Sequence, residues 1–119
     1  MANIFIVDDS PTEVHVLKAI LEKNGHTVDS ADNAEAGIEQ ITAKKPHLVL
    51  MDVVMPGMNG FQATRALTKA PETENIPIII VTTKDQETDK MWGLRQGAKD
   101  YITKPVDEAI LVEKINALL

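Results

Sequence analysis

The sequence predicts an α/β fold: a parallel five-stranded sheet, doubly wound, with helices on both faces. Three observations lead there. Short strand-like runs, most of them β-branched and apolar, occur five times, each followed by a segment with helical spacing, a (βα)5 pattern. The runs are apolar on consecutive residues, so both faces of each strand need cover. The chain has 119 residues, 44% hydrophobic and 25% charged, which suits one packed domain. Aromatic residues are only 3%, so the core must be aliphatic.

The first run, residues 4–7, ends abruptly in Asp8-Asp9. Ser10, Pro11 and Glu13 then read as N-cap, N1 and N3 of a capping box. Val14, Leu17, Ile20 and Leu21 follow at helical spacing, and Gly25 stops that helix. Residues 27–30 form a short second strand. Asp32 is the expected cap of a second helix with Ala34, Ile38 and Ile41 on one face. Residues 48–51 are a third buried strand, ending in Asp52. The Pro and Gly content of residues 55–60 marks a loop, and a third helix covers 61–69. Residues 78–81 are the most hydrophobic strand and end in Thr82-Thr83. A fourth helix, 86–96, has a weak apolar face of Met91, Trp92 and Leu94. Residues 101–103 form the last strand. Asp107 caps a final helix with Ile110, Leu111, Ile115 and Leu118 inward. No repeat or linker interrupts this pattern, so the expectation is a single domain over 1–119 with no output domain.

Several classes of function are disfavoured. A net charge of −6 argues against nucleic-acid binding, which needs clustered Lys and Arg. The absence of cysteine excludes disulfides, thiolate metal sites and cysteine nucleophiles. No apolar run is long enough to span a bilayer, and MANIFIVDDS lacks the basic start of a signal peptide. A cytoplasmic location is expected. The three histidines show no ligand spacing and read as surface or element-end residues.

In a doubly wound sheet, ligands bind beyond the carboxyl ends of the strands. That rule gathers Asp8, Asp9, Asp52, Thr82 and Lys104 on one rim. Clustered carboxylates raise one another's pKa, and a divalent cation relieves that repulsion. All-oxygen ligands point to a hard ion, Mg²⁺ or Mn²⁺. An aspartate oxygen can attack phosphorus, while a metal and Lys104 neutralise the transferring group and the Thr82 hydroxyl donates to it.

The ordered set IVDDS, LMDVVMPGMNG, IIIVTT and DYITKP resembles the CheY-like, flavodoxin-fold receiver domains of two-component response regulators. The resemblance covers essentially the whole chain, with Lys104 lying 52 residues after Asp52 as the family pattern requires. It implies that Asp52 is the phosphoacceptor and that a sensor histidine kinase is the donor. It implies Asp9, Asp52 and the Val54 backbone carbonyl as metal ligands, with Asp8 acting through water. Thr82 and Tyr101 are the implied switch pair, Tyr101 rotating inward behind Thr82, and Lys104 the implied lysine. A cis peptide before Pro105 is also implied. A target would read the face made by the fourth helix, fifth strand and fifth helix, where Met91, Trp92 and Tyr101 are candidate interface residues. The expected state is a monomer, with phosphorylation-dependent dimerisation as an alternative. Longer stretches, SPTE, MPGMNGFQATRALTK and VTTKDQETDKMWGLRQGAKDYITKPVDE, are similar to PilH-type receivers of type IV pilus chemosensory systems.

Val54 and Lys84 hold the positions that tune acyl-phosphate lifetime in this family, and neither is an acid or amide. Thr83 stands where a smaller residue is common. Slow to intermediate autodephosphorylation is therefore expected. Three other roles compete. The chain could drain phosphate from a shared kinase without driving an effector. It could instead be an aspartyl-phosphate phosphohydrolase, but that class needs a DxD strand end, and Val54 occupies the second position. A flavin or nucleotide module would need a phosphate loop after the first strand, where this chain is acidic. The expectation is an acceptor that switches partners rather than a turnover enzyme.

Overall fold

The computed structural model describes residues 1–119. It contains β1 (Asn3–Val7), α1 (Pro11–Lys23), β2 (Thr27–Ala31), α2 (Ala34–Lys44), β3 (Leu48–Met51), α3 (Gly60–Lys69), β4 (Ile78–Thr82), α4 (Glu87–Arg95), β5 (Asp100–Thr103) and α5 (Glu108–Leu118). The strands form one parallel sheet in the order β2-β1-β3-β4-β5. The predicted doubly wound fold is therefore the observed one.

Alternation along the strands divides the core. Ile4, Ile6, Leu48, Leu50, Ile79, Val81 and Ile102 face Leu17 and Leu21 of α1 and Leu111 and Ile115 of α5. Phe5, Val7, Val49, Met51 and Ile78 face Ala34 and Ile41 of α2 and Ala63 and Leu67 of α3. A smaller cluster of Val53, Phe61, Ile80, Ala98 and Tyr101 lies beside α3 and α4. Both faces of the sheet are thus covered, as the unbroken apolar runs require.

Several details differ from expectation. Asn33, not Asp32, caps α2, its Oδ1 accepting the Ala36 N–H at 2.8 Å. β2 runs on to Ala31, pairing with Val7, and this moves the helix start one residue along. Ser10 caps α1 through the Glu13 N–H, but its own N–H donates to Asp8 Oδ1 at 2.9 Å rather than to Glu13. The capping box is therefore only half formed, because the acidic rim takes the second bond. Ile110 is exposed, since α5 buries the Leu111–Ile115 stripe and Ile110 lies a third of a turn away. His26 accepts the N–H of Ala2, just before β1, and His47 that of Asn3 in β1, each through Nδ1. That is a structural use and fits their element-end reading.

Candidate acidic phosphoacceptor site

The site follows from strand register. Val7 lies opposite Met51, and Thr82 opposite Thr103. The next residue on each strand therefore arrives at the same rim. Backbone bonds carry the ladder one step past the strand ends: Asp8 N–H to Ala31, Asp52 N–H to Val7 and Lys104 N–H to Thr82. Asp8, Asp52 and Lys104 consequently stand on backbone that is fixed before any side chain meets another.

One carboxylate oxygen from each of Asp8, Asp9 and Asp52 lies within 4.8 Å of the other two. Asp8 and Asp52 are buried and Asp9 is exposed. Lys104 Nζ donates to Asp8 Oδ2 at 2.8 Å and stands 3.7 Å from Asp52 Oδ2, its side chain 7% exposed. The Val53 N–H donates to Asp52 Oδ1 at 2.8 Å. Asp52 Oδ1 is thereby held in place, and Oδ2 is the oxygen left toward Lys104.

Burial raises the Asp52 pKa above its ordinary value, and the neighbouring Asp8 charge raises it further. Lys104, the Val53 N–H and the Thr82 hydroxyl oppose these effects without cancelling them. Burial alone would lower the Lys104 pKa. The hydrogen bond to Asp8 and the charges of Asp52, Asp8 and Glu13 together outweigh it, leaving the ammonium above its ordinary value. One cation thus faces three carboxylates. The residual negative charge and the all-oxygen donor set fit a hard divalent ion, with Asp8, Asp9 and Asp52 as the side chains able to hold it.

Thr82 is fully buried and its Oγ1 accepts the Lys84 N–H at 3.4 Å. Tyr101 already lies inward, and its hydroxyl donates to the Lys84 carbonyl at 2.8 Å. The Lys84 carbonyl is thus the acceptor that holds the ring in this inward seat. Burial, then the Asp89, Asp52 and Asp85 charges, push its phenol up to about 12. The Lys104-Pro105 peptide is cis, as the resemblance implied. Val54 and Thr83 are exposed, while Lys84 Nζ is drawn toward Asp89 at 3.7 Å. Val54, Met55, Asn59 and Lys84 border a groove of about 430 Å³ beside the acceptor loop. On the other side, a cleft of about 590 Å³ opens from Asp8 and Asp9 past His15, Lys18 and Asp32.

Two supporting positions carry no local sequence signal. Gly60 starts α3 so close to Asp52 that an added Cβ would lie 1.8 Å from the Asp52 carbonyl oxygen. A Cβ on Gly93 would lie 3.1 Å from the Tyr101 ring. Both were legible only as glycines in a loop and in a weak helix.

Lys104→Met tests the ion balance. It keeps the stem and removes the cation, so Asp8 and Asp52 lose their partner. Because the folded-state pKa of Lys104 is raised, its stabilisation is fully present at neutral pH and is lost only as pH rises through that value. The expected result is a loss of about 2 kcal/mol at pH 7 by urea unfolding.

A family model described as the response regulator receiver domain matches residues 4–116. Over all 119 residues the chain is 65% identical to Protein PilH of Pseudomonas aeruginosa, covering 98% of that protein. It is 38% identical over 116 residues to the phosphate regulon transcriptional regulatory protein PhoB of the same species, covering 51% of it. Among solved structures, the Vibrio cholerae chemotaxis protein CheY4 matches with a TM-score of 0.92 at 25% identity, covering 100% of this chain and 99% of that one. A putative response regulator from Chloroflexus aurantiacus matches with a TM-score of 0.94 at 29% identity, covering 98% and 96%. The acidic rim with its single lysine thus stands in a chain that belongs to the response regulator receiver domain family.

Proposed function

We propose that Asp52 accepts a phosphoryl group from the phosphohistidine of a partner kinase, and that the modified chain changes its protein contacts. The observation that carries this reading is the pair of unequal oxygens on Asp52, one held by the Val53 N–H and one facing Lys104. Asp52 Oδ2 attacks phosphorus, the new O–P bond forms, and the P–N bond to the donor imidazole breaks. The imidazole nitrogen keeps the electron pair and takes up a proton. Lys104 neutralises the phosphoryl oxygens, and the buried Thr82 hydroxyl donates to one of them. Asp8, Asp9, Asp52 and the Val54 carbonyl would hold Mg²⁺ or Mn²⁺, which supplies further charge neutralisation when bound. The chain acts as an acceptor rather than a turnover enzyme.

Tyr101 links this chemistry to a surface. Its ring lies against Gly93 of α4, and its hydroxyl holds the loop before that helix. A shift of Thr82 toward a phosphoryl group alters the loop and therefore the face of α4, β5 and α5. The similarity to Protein PilH supports a role in type IV pilus chemosensory signalling and twitching motility.

Phosphotransfer profiling against candidate histidine kinases tests the assignment, with Asp52→Asn as the control. Equal labelling of the wild type and Asp52→Asn would exclude Asp52 as the acceptor. The lifetime of the label is a separate expectation. Neither Val54 nor Lys84 carries an acid or amide to orient a hydrolytic water, so the acyl phosphate should outlast donor removal. Complete decay within seconds at room temperature would contradict that reading.

A further inference from the structure

Charge is distributed unevenly over this acidic chain. Residues 59–70 and 90–99 contain Arg65, Lys69, Lys90, Arg95 and Lys99 but no Asp or Glu. Those segments hold five of the 12 Lys and Arg, leaving seven against 18 acidic residues elsewhere. The fold brings the two segments together. The Thr68 hydroxyl of α3 donates to the Gln96 carbonyl after α4 at 2.8 Å, and Arg65 reaches the Gln96 side chain at 3.5 Å.

α4 covers little of the core, burying only Gly93. Thr88, Met91, Trp92 and Arg95 recur at i, i+3, i+4 and i+7 and so share one stripe. Met91 is 61% exposed and Trp92 49% exposed. Two recesses flank the indole. One of about 170 Å³ lies along that stripe. The other, of about 420 Å³, lies between α3 and α4 and includes Phe61, Arg65 and Gln96 in its lining. Recesses that share the exposed Trp92, one mainly apolar and one mixed, with an arginine in the lining of each, complement an acidic segment with apolar anchors.

We propose that the α3–α4 face docks an acidic amphipathic helix of a partner protein. Its apolar anchors would enter the recesses on either side of Trp92, and its carboxylates would meet Arg65 and Arg95. Helix-in-groove recognition uses this division between anchors and rim. A long polyanion such as nucleic acid would extend from the basic face onto strongly acidic surroundings. A bilayer surface has no side chains to place in the recesses. The face uses none of the rim residues around Asp52.

The chain's single tryptophan is the reporter. The full-length chain is titrated with acidic amphipathic peptides bearing Leu or Phe at i, i+3 or i+4, and i+7. Dye-labelled copies follow the variants by anisotropy. Expected is a saturable blue shift of Trp92 emission that weakens with salt. Arg65→Glu with Arg95→Glu should weaken binding about tenfold or more. Trp92→Ala should also weaken it in the anisotropy assay. Thermal melting checks that the variants fold, and Arg65→Gln with Arg95→Gln replaces any charge reversal that does not. No shift with any acidic peptide, equal binding of a lysine-substituted peptide, or unchanged affinity in the arginine variants would each overturn the proposal. So would a shift that anionic phosphatidylglycerol vesicles produce and peptides do not. A shift produced by raising the protein concentration alone would make a second copy the occupant instead.

Discussion

Asp52→Asn should abolish phosphoryl labelling and, in metal-free buffer at pH 7, raise the melting temperature. The amide has no oxygen able to form the acyl phosphate, so labelling should fall to background. The stability gain follows from the sign of the pKa shift. Burial, and then the Asp8 charge, lift the Asp52 pKa in the folded chain above the ordinary 3.8. A carboxyl raised in this way favours folding most when protonated, and that contribution is lost as pH rises through the folded-state value. At pH 7 the ionised Asp52 is therefore a net burden on the fold, despite Lys104 at 3.7 Å. The variant should therefore melt above the wild type at pH 7. The difference should shrink as pH falls through the raised folded-state value and vanish below about 4, where the unfolded carboxyl also protonates. Added Mg²⁺ should stabilise the wild type more than the variant, because only the wild type offers all three carboxylates. Equal melting temperatures across this pH range would mean that Lys104 fully offsets the burial of Asp52.

The same tension explains why the site was legible in sequence. A parallel strand must end at the rim, so the residue after each apolar run is placed by topology alone. Asp8, Asp52 and Thr82 were found that way, and Lys104 joined them one strand over. What sequence did not resolve depends on distances between remote segments or on backbone groups common to every residue. The inward seat of Tyr101 rests on the carbonyl of Lys84, which any residue there would supply. The α2 cap shifted from Asp32 to Asn33 because β2 follows Val7 one residue further than its composition indicated. Ile110 sits in a helix apolar on several sides, where a single stripe cannot be chosen without knowing what it packs on. Trp92 reads in sequence both as part of the weak apolar face of α4 and as an interface residue. Its half-exposed position follows from Gly93, whose missing side chain lets α4 lie against Ile80 and Tyr101 while its other residues point out.

Gly60→Ala should be among the most damaging single-methyl additions to this chain. Gly60 opens α3, with Asn59 and Gln62 forming a reciprocal capping box around it. Its N–H donates to the Val53 carbonyl at 3.0 Å, tying the helix start to the acceptor loop. A Cβ here would stand 1.8 Å from the Asp52 carbonyl oxygen and 2.8 Å from Val53 Cα. Both obstacles are backbone, so no side-chain rotation relieves the clash. Either α3 retreats by more than an ångström, weakening the capping box, or the acceptor peptide moves. The cost should reach about 4 kcal/mol by urea unfolding, beyond ordinary overpacking because the main chain itself must shift. Gly57 is the internal comparison. It has φ +76, and a Cβ there would meet only the Glu35 carboxylate at 3.4 Å. Gly57→Ala should therefore cost no more than about 1–2 kcal/mol, the ordinary strain of the left-handed region. Function should separate the two further. Displacing the Asp52 backbone by about 1 Å misaligns its attacking oxygen with Lys104, and phosphoryl uptake by folded Gly60→Ala should fall about 100-fold. Gly57→Ala should leave uptake nearly unchanged. If Gly60→Ala unfolds within 1 kcal/mol of the wild type, the start of α3 is slack, and α3 is not the element that fixes the acceptor.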